Sequence, residues 1–226
     1  MNFREKYFNF IDGLDFPKSI PQGVEILNPF KSEATYALSR SFYTKYYSDD
    51  QSRLFLIGIN PGRFGAGITG VPFTDPIHLE EKCGITNDLK KRQELSSVFV
   101  YEVIEAFGSV DEFYKRVFFT SVSPLGFVKD GINLNYYDIP EVRDFLEPYM
   151  AKSLRQQIAM GAITKVAFSM GKGQNLKYLK YLNTKYQLFD DIQPLPHPRW
   201  VMQYRLRRKQ EFIDEYVNKI SSALKL

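Results

Sequence analysis

Two segments of this sequence carry residue types that suit a site where backbone, an amide and an imidazole meet a ligand. The first is Gly58-Ile59-Asn60-Pro61-Gly62-Arg63-Phe64-Gly65-Ala66-Gly67-Ile68-Thr69-Gly70-Val71-Pro72-Phe73. Five of the chain's 14 glycines fall in these 16 positions. Glycine lets backbone approach a ligand closely and take positive φ. Asn60 follows an apolar run, so its amide projects at the end of a strand. The segment matches neither the P-loop nor a dinucleotide fingerprint opening a helix. A purely structural loop is the other reading, and the clustering of glycines argues against it.

The second segment is Leu195-Pro196-His197-Pro198-Arg199-Trp200. Two prolines stiffen the backbone around one imidazole. The chain has only two histidines, His78 and His197, and one cysteine, Cys83. A lone histidine is usually structural, but one clamped by prolines beside Arg and Trp is an equal candidate for function. The small His and Cys count leaves little to build a zinc site and excludes a four-thiolate cluster. An intramolecular disulfide is excluded too, and a reducing compartment is expected.

Elements must hold these groups. Leu54 to Ile59 has the length and flanks of a buried strand. Val117 to Ser121 and Lys165 to Ser169 read as two more, and a fourth is expected near 187–193. Helices are expected over 32–49, 87–107, 140–160, 174–182 and 203–223, while residues 1–31, broken by Pro17, Pro21 and Pro29, are expected to be irregular. Strands alternating with helices predict a three-layer α/β/α fold around a mainly parallel four-stranded sheet. In such sheets ligands bind beyond the carboxyl ends of the strands. Asn60, Ser121 to Leu125 and Pro196 to Pro198 all fall there.

With 226 residues, 44% hydrophobic and 25% charged, the composition is that of a soluble globular protein, and one domain spanning 1–226 is expected. No stretch approaches the length of a membrane span. The net charge of +4 says little about partners. Its distribution says more: Ile192 to Gln210 holds no acid but includes Arg199, Arg205, Arg207, Arg208 and Lys209. Such a patch suits a polyanion, although charge alone favours the reading as a solvated helix start.

Together the two segments resemble the uracil-DNA glycosylase superfamily, and within it the single-strand-selective monofunctional branch. The likeness rests on Gly58-Ile59-Asn60-Pro61-Gly62, then Phe64-Gly65, then Thr69-Gly70-Val71-Pro72-Phe73, and a late His197-Pro198. Phe119 to Leu125 and Val166 to Lys172 add weaker matches. It covers roughly residues 54–210.

The resemblance implies a monofunctional DNA glycosylase that hydrolyses the bond to uracil, or to a related deaminated or oxidised base, in base-excision repair. It implies no cofactor and no metal, a monomer with DNA as its partner, and a cytoplasmic or, in a eukaryote, nuclear location. It implies that Asn60 positions the attacking water and that His197 donates to the leaving base. Gly58, Ile59, Gly62, Phe64, Phe73 and Ser121 would surround the base, with Phe73 stacked on it. DNA would meet Gly171, Lys172, Arg199, Trp200 and Arg205. Gly171 and Lys172 read equally well as an ordinary strand–helix turn. Arg199, Trp200 and Met202 compete for the wedge that fills the gap of a flipped nucleotide. Ser121 stands where the family commonly has a base-reading Asn. No lysine is placed to form a Schiff base. A non-catalytic binding module of the same fold, or a hydrolase of free nucleosides or nucleotides, are the rival readings. Retention of Asn60 and His197 argues against the first, and the basic stretch against the second.

Overall fold

The computed structural model describes residues 1–17 and 19–225. The elements are α1 (Phe3–Asp12), β1 (Glu25–Leu27), α2 (Glu33–Tyr46), β2 (Arg53–Gly58), α3 (Ala66–Thr69), α4 (Pro76–Glu81), α5 (Leu95–Phe107), α6 (Val110–Arg116), β3 (Val117–Ser121), β4 (Gly126–Lys129), β5 (Ile132–Leu134), α7 (Pro140–Ala159), β6 (Ala162–Met170), α8 (Gln174–Tyr186), β7 (Ile192–Leu195), α9 (Pro198–Tyr204) and α10 (Lys209–Ala223).

Four strands form the expected parallel sheet, in the order β3-β2-β6-β7. Every residue of β2 is buried, Arg53 included, as the apolar run from Leu54 onward requires of a central strand covered on both faces. Helices flank the sheet: α7 and α8 pack on β6, and α6 packs on β2 and β3. The register brings the carboxyl ends level. Gly58 pairs with Ser121, Ile57 with Ser169, and Met170 with Leu195. The segments carrying Asn60, Ser121 and His197 therefore leave the sheet along one edge.

A second, three-stranded antiparallel sheet, β1-β4-β5, was not expected. Its hairpin turns through Asp130 (φ 49°) and Gly131 (φ 73°), the two positive values that a two-residue hairpin of matching twist needs. Asp-Gly between short apolar runs is the sequence signal for it.

The N-terminal stretch is also more ordered than its prolines suggest. Asn2 and Glu5 form a reciprocal capping box at the start of α1, with both bonds at 2.9 Å. Phe3, Tyr7, Phe10 and Ile11 then make a buried stripe. Phe3 lies over the guanidinium of Arg53, which is sandwiched between it and Tyr47 at 4.8 and 4.6 Å. Arg53 is fully buried. It donates to the carbonyls of Tyr114, Gln51 and Tyr46 and to the Asp49 carboxylate. Truncating it would take a donor from those carbonyls, a cost of about 1–3 kcal/mol for each one left buried and unpaired.

Other boundaries differ from expectation, and the helix expected over 87–107 begins only at Leu95. The fourth strand is Ile192–Leu195, because Asn183 Oδ1 accepts from the backbone of Leu188 and Phe189 and turns the chain there first. The C-terminal helix is two helices. Pro198 begins α9 at its first turn, and a single 3₁₀ turn at Leu206–Arg208 separates it from α10.

Candidate active site

Two adjoining cavities open at the carboxyl edge of the parallel sheet. The smaller, about 240 Å³, is lined by residues that include Gly58, Asn60, Gly62, Phe73, Ser121 and His197. The larger, about 540 Å³, runs past Tyr137, Gly171 to Asn175, Pro196 and Trp200. Ile59, Asn135, His197 and Arg199 line both. A compact pocket beside a groove twice its size suits one flat group and the chain to which it is attached.

The amide of Asn60 is clamped by backbone. Its Nδ2 donates to the carbonyl of Leu134 at 3.1 Å and to that of Pro61 at 3.4 Å. Its Oδ1 accepts from the N–H of Tyr136 at 3.0 Å. A carbonyl can only accept and an N–H can only donate, so these partners fix which end of the amide is oxygen. Both hydrogens are engaged. The oxygen retains one lone pair, so Asn60 can offer the cavity an acceptor and nothing else.

His197 has the opposite polarity. It is the N-cap of α9, and its Nδ1 accepts from the N–H of Arg199 at 3.2 Å. Burial, then the charge of Arg199, lowers its pKa from 6.5 to about 4. The ring is therefore neutral at pH 7, with its proton on Nε2 as the free donor. Its loop is braced from behind by Tyr216, whose hydroxyl donates to the Pro196 carbonyl, and by Lys219, whose ammonium donates to the Pro194 carbonyl at 2.9 Å. The other histidine lies elsewhere. His78 is buried beside Asp75, 2.9 Å from its carboxylate, and stacks on Tyr101.

Phe73 holds a left-handed backbone, φ 54°, which is unusual for an aromatic residue. A Cβ at Gly58 would lie 3.1 Å from Cζ of this ring, so the bare glycine is what lets Phe73 cross the end of β2. Ser121 closes the same end of the pocket, but its hydroxyl hydrogen goes to the Ser123 carbonyl at 2.6 Å. Towards the cavity it can only accept. Phe64 sits at the rim, 40% exposed, with the guanidinium groups of Arg63 and Arg92 at 5.0 and 4.4 Å from its ring.

The expected DNA contacts sort unevenly. Arg199 lines both cavities and is exposed. Trp200 is partly exposed, packed edge-on against Phe212 and covered by Arg205 at 4.8 Å. Lys172 faces the groove but is paired with Glu215 at 3.2 Å, a surface pair of little strength. The Gly171 N–H is already bonded to the carbonyl of Leu195 at 2.8 Å, so it has no hydrogen for a phosphate.

Sequence reasoning missed Glu94, Ser96 and Asn133 to Asn135, all of which line the pocket. Glu94 is the only acid among the described residues lining it. Its N–H is held by Asp75 at 2.8 Å, and burial followed by the Asp75 charge raises its pKa. The Asp130-Gly131 turn signal could have located Asn133 to Asn135. Nothing in the sequence marks Glu94.

Comparison with known proteins fits this geometry. The family model of the uracil DNA glycosylase superfamily matches residues 44–221. The crystal structure of wild-type SMUG2 from Pedobacter heparinus is similar over the whole of both chains, with a TM-score of 0.96 and 39% sequence identity. The likeness to the single-strand-selective monofunctional branch is thereby supported.

Proposed function

The chain belongs to the uracil DNA glycosylase superfamily, and from that premise we propose that Asn60 and His197 divide the cleavage of the base–sugar bond between them. The protein is a DNA N-glycosylase of the uracil-removing kind, a hydrolase of DNA repair, and DNA is its partner. No helix among the described residues is long and apolar enough to cross a membrane.

The observation that carries the assignment is the matched polarity of two side chains that backbone has already oriented. An extruded base enters the smaller cavity and lies against Phe73. As the C1′–N bond lengthens, its electron pair moves onto the base and positive charge grows at C1′. Water is held through one O–H by the free lone pair of Asn60 Oδ1, which turns the water's own lone pair towards C1′. The amide is too weak a base to remove a proton, and none need be removed early, because a cationic centre accepts a neutral nucleophile. His197 Nε2–H donates to the carbonyl oxygen on which the base's negative charge collects, and a fixed donor in a dry site is strongly stabilising there. After attack the water's second proton is released, and the base takes one up as it leaves. Gly62 and Ile59 border the pocket, and Arg199 with the Trp200–Arg205 pair flanks the groove that receives the strand. We place the whole chain in one domain acting as a monomer wherever its DNA lies.

Asn60→Ala should lose cleavage by about 10²-fold or more while still binding DNA, as expected when a reacting atom loses its position. Single-turnover excision from a uracil-containing oligonucleotide, revealed by alkali, measured beside binding by the same oligonucleotide, tests this. An unchanged rate removes Asn60 from the mechanism.

A further inference from the structure

The clamp on Asn60 is itself held by a closed circuit of buried polar groups. Tyr136, whose N–H fixes Asn60 Oδ1, is fully buried, and its hydroxyl donates to Asn175 Oδ1 at 3.0 Å. Asn175, in the first turn of α8, is 2% exposed. Its Nδ2 donates to the carbonyl of Ile57 at 3.2 Å and to Ser169 Oγ at 3.1 Å. Ser169 Oγ in turn donates to the Gly171 carbonyl at 3.0 Å. Ile57 lies in β2, three residues before Asn60 in the loop that follows it, so the circuit runs from β2 through α8 to Tyr136 and back to the amide.

Every side-chain donor hydrogen of Tyr136, Asn175 and Ser169 is engaged. Asn175 uses both of its hydrogens and its oxygen, and a fully satisfied buried network specifies a single arrangement. The segment it secures, Leu134 to Tyr136, supplies two of the three bonds that orient Asn60. The strand that leads into this segment, β5, is the edge of the small β1-β4-β5 sheet, with Ile132 and Asn133 exposed. Asn175 ties the residues that follow it to the parallel sheet.

We propose that Tyr136 and Asn175 are positioning residues for the reaction. They touch neither base nor sugar, and they act by holding the amide of Asn60 at the angle from which it presents the water. This rests on the reading of Asn60 as the water-positioning group.

The test is a cycle of Tyr136→Phe, Asn60→Ala and the double variant, read by single-turnover excision and by KM on a single-stranded uracil substrate. Tyr136→Phe keeps the ring and its packing on Tyr178 (5.3 Å between centroids) and removes one oxygen. The expected result is a rate about tenfold lower with KM unchanged, and no further loss when Asn60 is already alanine. Equal losses in both backgrounds would make Tyr136 a general structural residue and overturn the proposal, as would a wild-type rate for Tyr136→Phe beside an impaired Asn60→Ala. A wild-type rate for Asn60→Ala would instead sink the underlying assignment. Should Tyr136→Phe fail to fold, Asn175→Ser breaks the circuit from its other end, and the same cycle with it measures the same coupling to Asn60, with the same outcomes supporting or overturning the proposal.

Discussion

The protonation state of His197 offers the sharpest check on the mechanism. An unperturbed histidine has a pKa of about 6.5, and burial together with Arg199 lowers this one to about 4. At pH 6.5 an ordinary imidazole is half protonated, whereas His197 stays almost wholly neutral. Protonation would place a hydrogen on Nδ1, where it would meet the Arg199 N–H already donated there. The native state thus favours the neutral ring. Its contribution to stability is complete above pH 6.5 and is lost as pH falls from 6.5 towards 4. The parameter kcat/KM reports titrations of the free enzyme. On a single-stranded uracil oligonucleotide it should be unaffected by histidine titration between pH 8 and pH 5.5. The Glu94→Gln variant separates any acid limb due to that carboxylate. In parallel, nitrogen NMR of the two imidazoles, assigned with His197→Asn, should show His197 carrying its proton on Nε2 at pH 7. A histidine limb centred between pH 6 and 7 that persists in Glu94→Gln would refute the reasoning, and so would a doubly protonated ring at pH 7.

Three further outcomes follow from single contacts. Ser121 can only accept, so it can face an N–H of the base but cannot serve a carbonyl. Ser121→Asn should raise kcat/KM for uracil relative to xanthine, hypoxanthine or 5-hydroxymethyluracil, by the equivalent of about 1–3 kcal/mol if a buried hydrogen bond is gained, and an unchanged ratio on matched single-stranded substrates would show that position 121 does not read the base. In the basic stretch Arg208 is held by Glu211 at 2.7 Å, whereas Arg205 is bonded to its neighbour's carbonyl and lies over Trp200. Arg205→Gln should therefore flatten the salt dependence of single-strand binding by about 0.7 in log–log slope, while Arg208→Gln changes it little, as binding titrations across salt concentrations would reveal. A Cβ at Gly126 would collide with the Pro61 carbonyl and lie 3.2 Å from Leu27, while one at Gly131 would meet nothing. Gly126→Ala should cost about 1–3 kcal/mol of stability by overpacking and reduce excision by displacing the hairpin. Gly131→Ala, at φ 73°, should cost stability alone, and denaturant unfolding paired with rate measurement distinguishes the two.

The legible part of this molecule was the part that repeats a simple period or concentrates special residues. The central strand announced itself by an apolar run with Gly58 and Pro61 at its end. The parallel sheet followed from strands alternating with helices. What escaped was set by pairings distant in sequence. Helix α1 was hidden by the prolines that follow it, although the Asn2–Glu5 box and the stripe Phe3, Tyr7, Phe10 and Ile11 were readable. The hairpin was signalled by Asp130-Gly131, but nothing local says that it packs against the Asn60 loop. That contact depends on Gly126 meeting Pro61, 65 residues earlier in the chain. Lys172 and Gly171 looked alike in sequence as phosphate contacts, and only their existing partners, Glu215 and Leu195, separate an exposed cation from an N–H already in use.

The same long-range pairings explain why position 60 carries an amide when a carboxylate would be the stronger base. Asn60 Nδ2 points at two carbonyl oxygens, Leu134 and Pro61. A carboxylate in that place would set an oxygen against both, and it could remain only by keeping a proton, which would forfeit its basicity. The hairpin that fixes the amide thus also selects it. What the fold gains is direction. One acceptor at Asn60 and one donor at His197 are each left over after backbone has engaged the rest. Water can donate to the first, and a developing anion can accept only from the second. That ordering suits a bond whose two halves part as cation and anion, and it requires no titrating group to change state during the reaction.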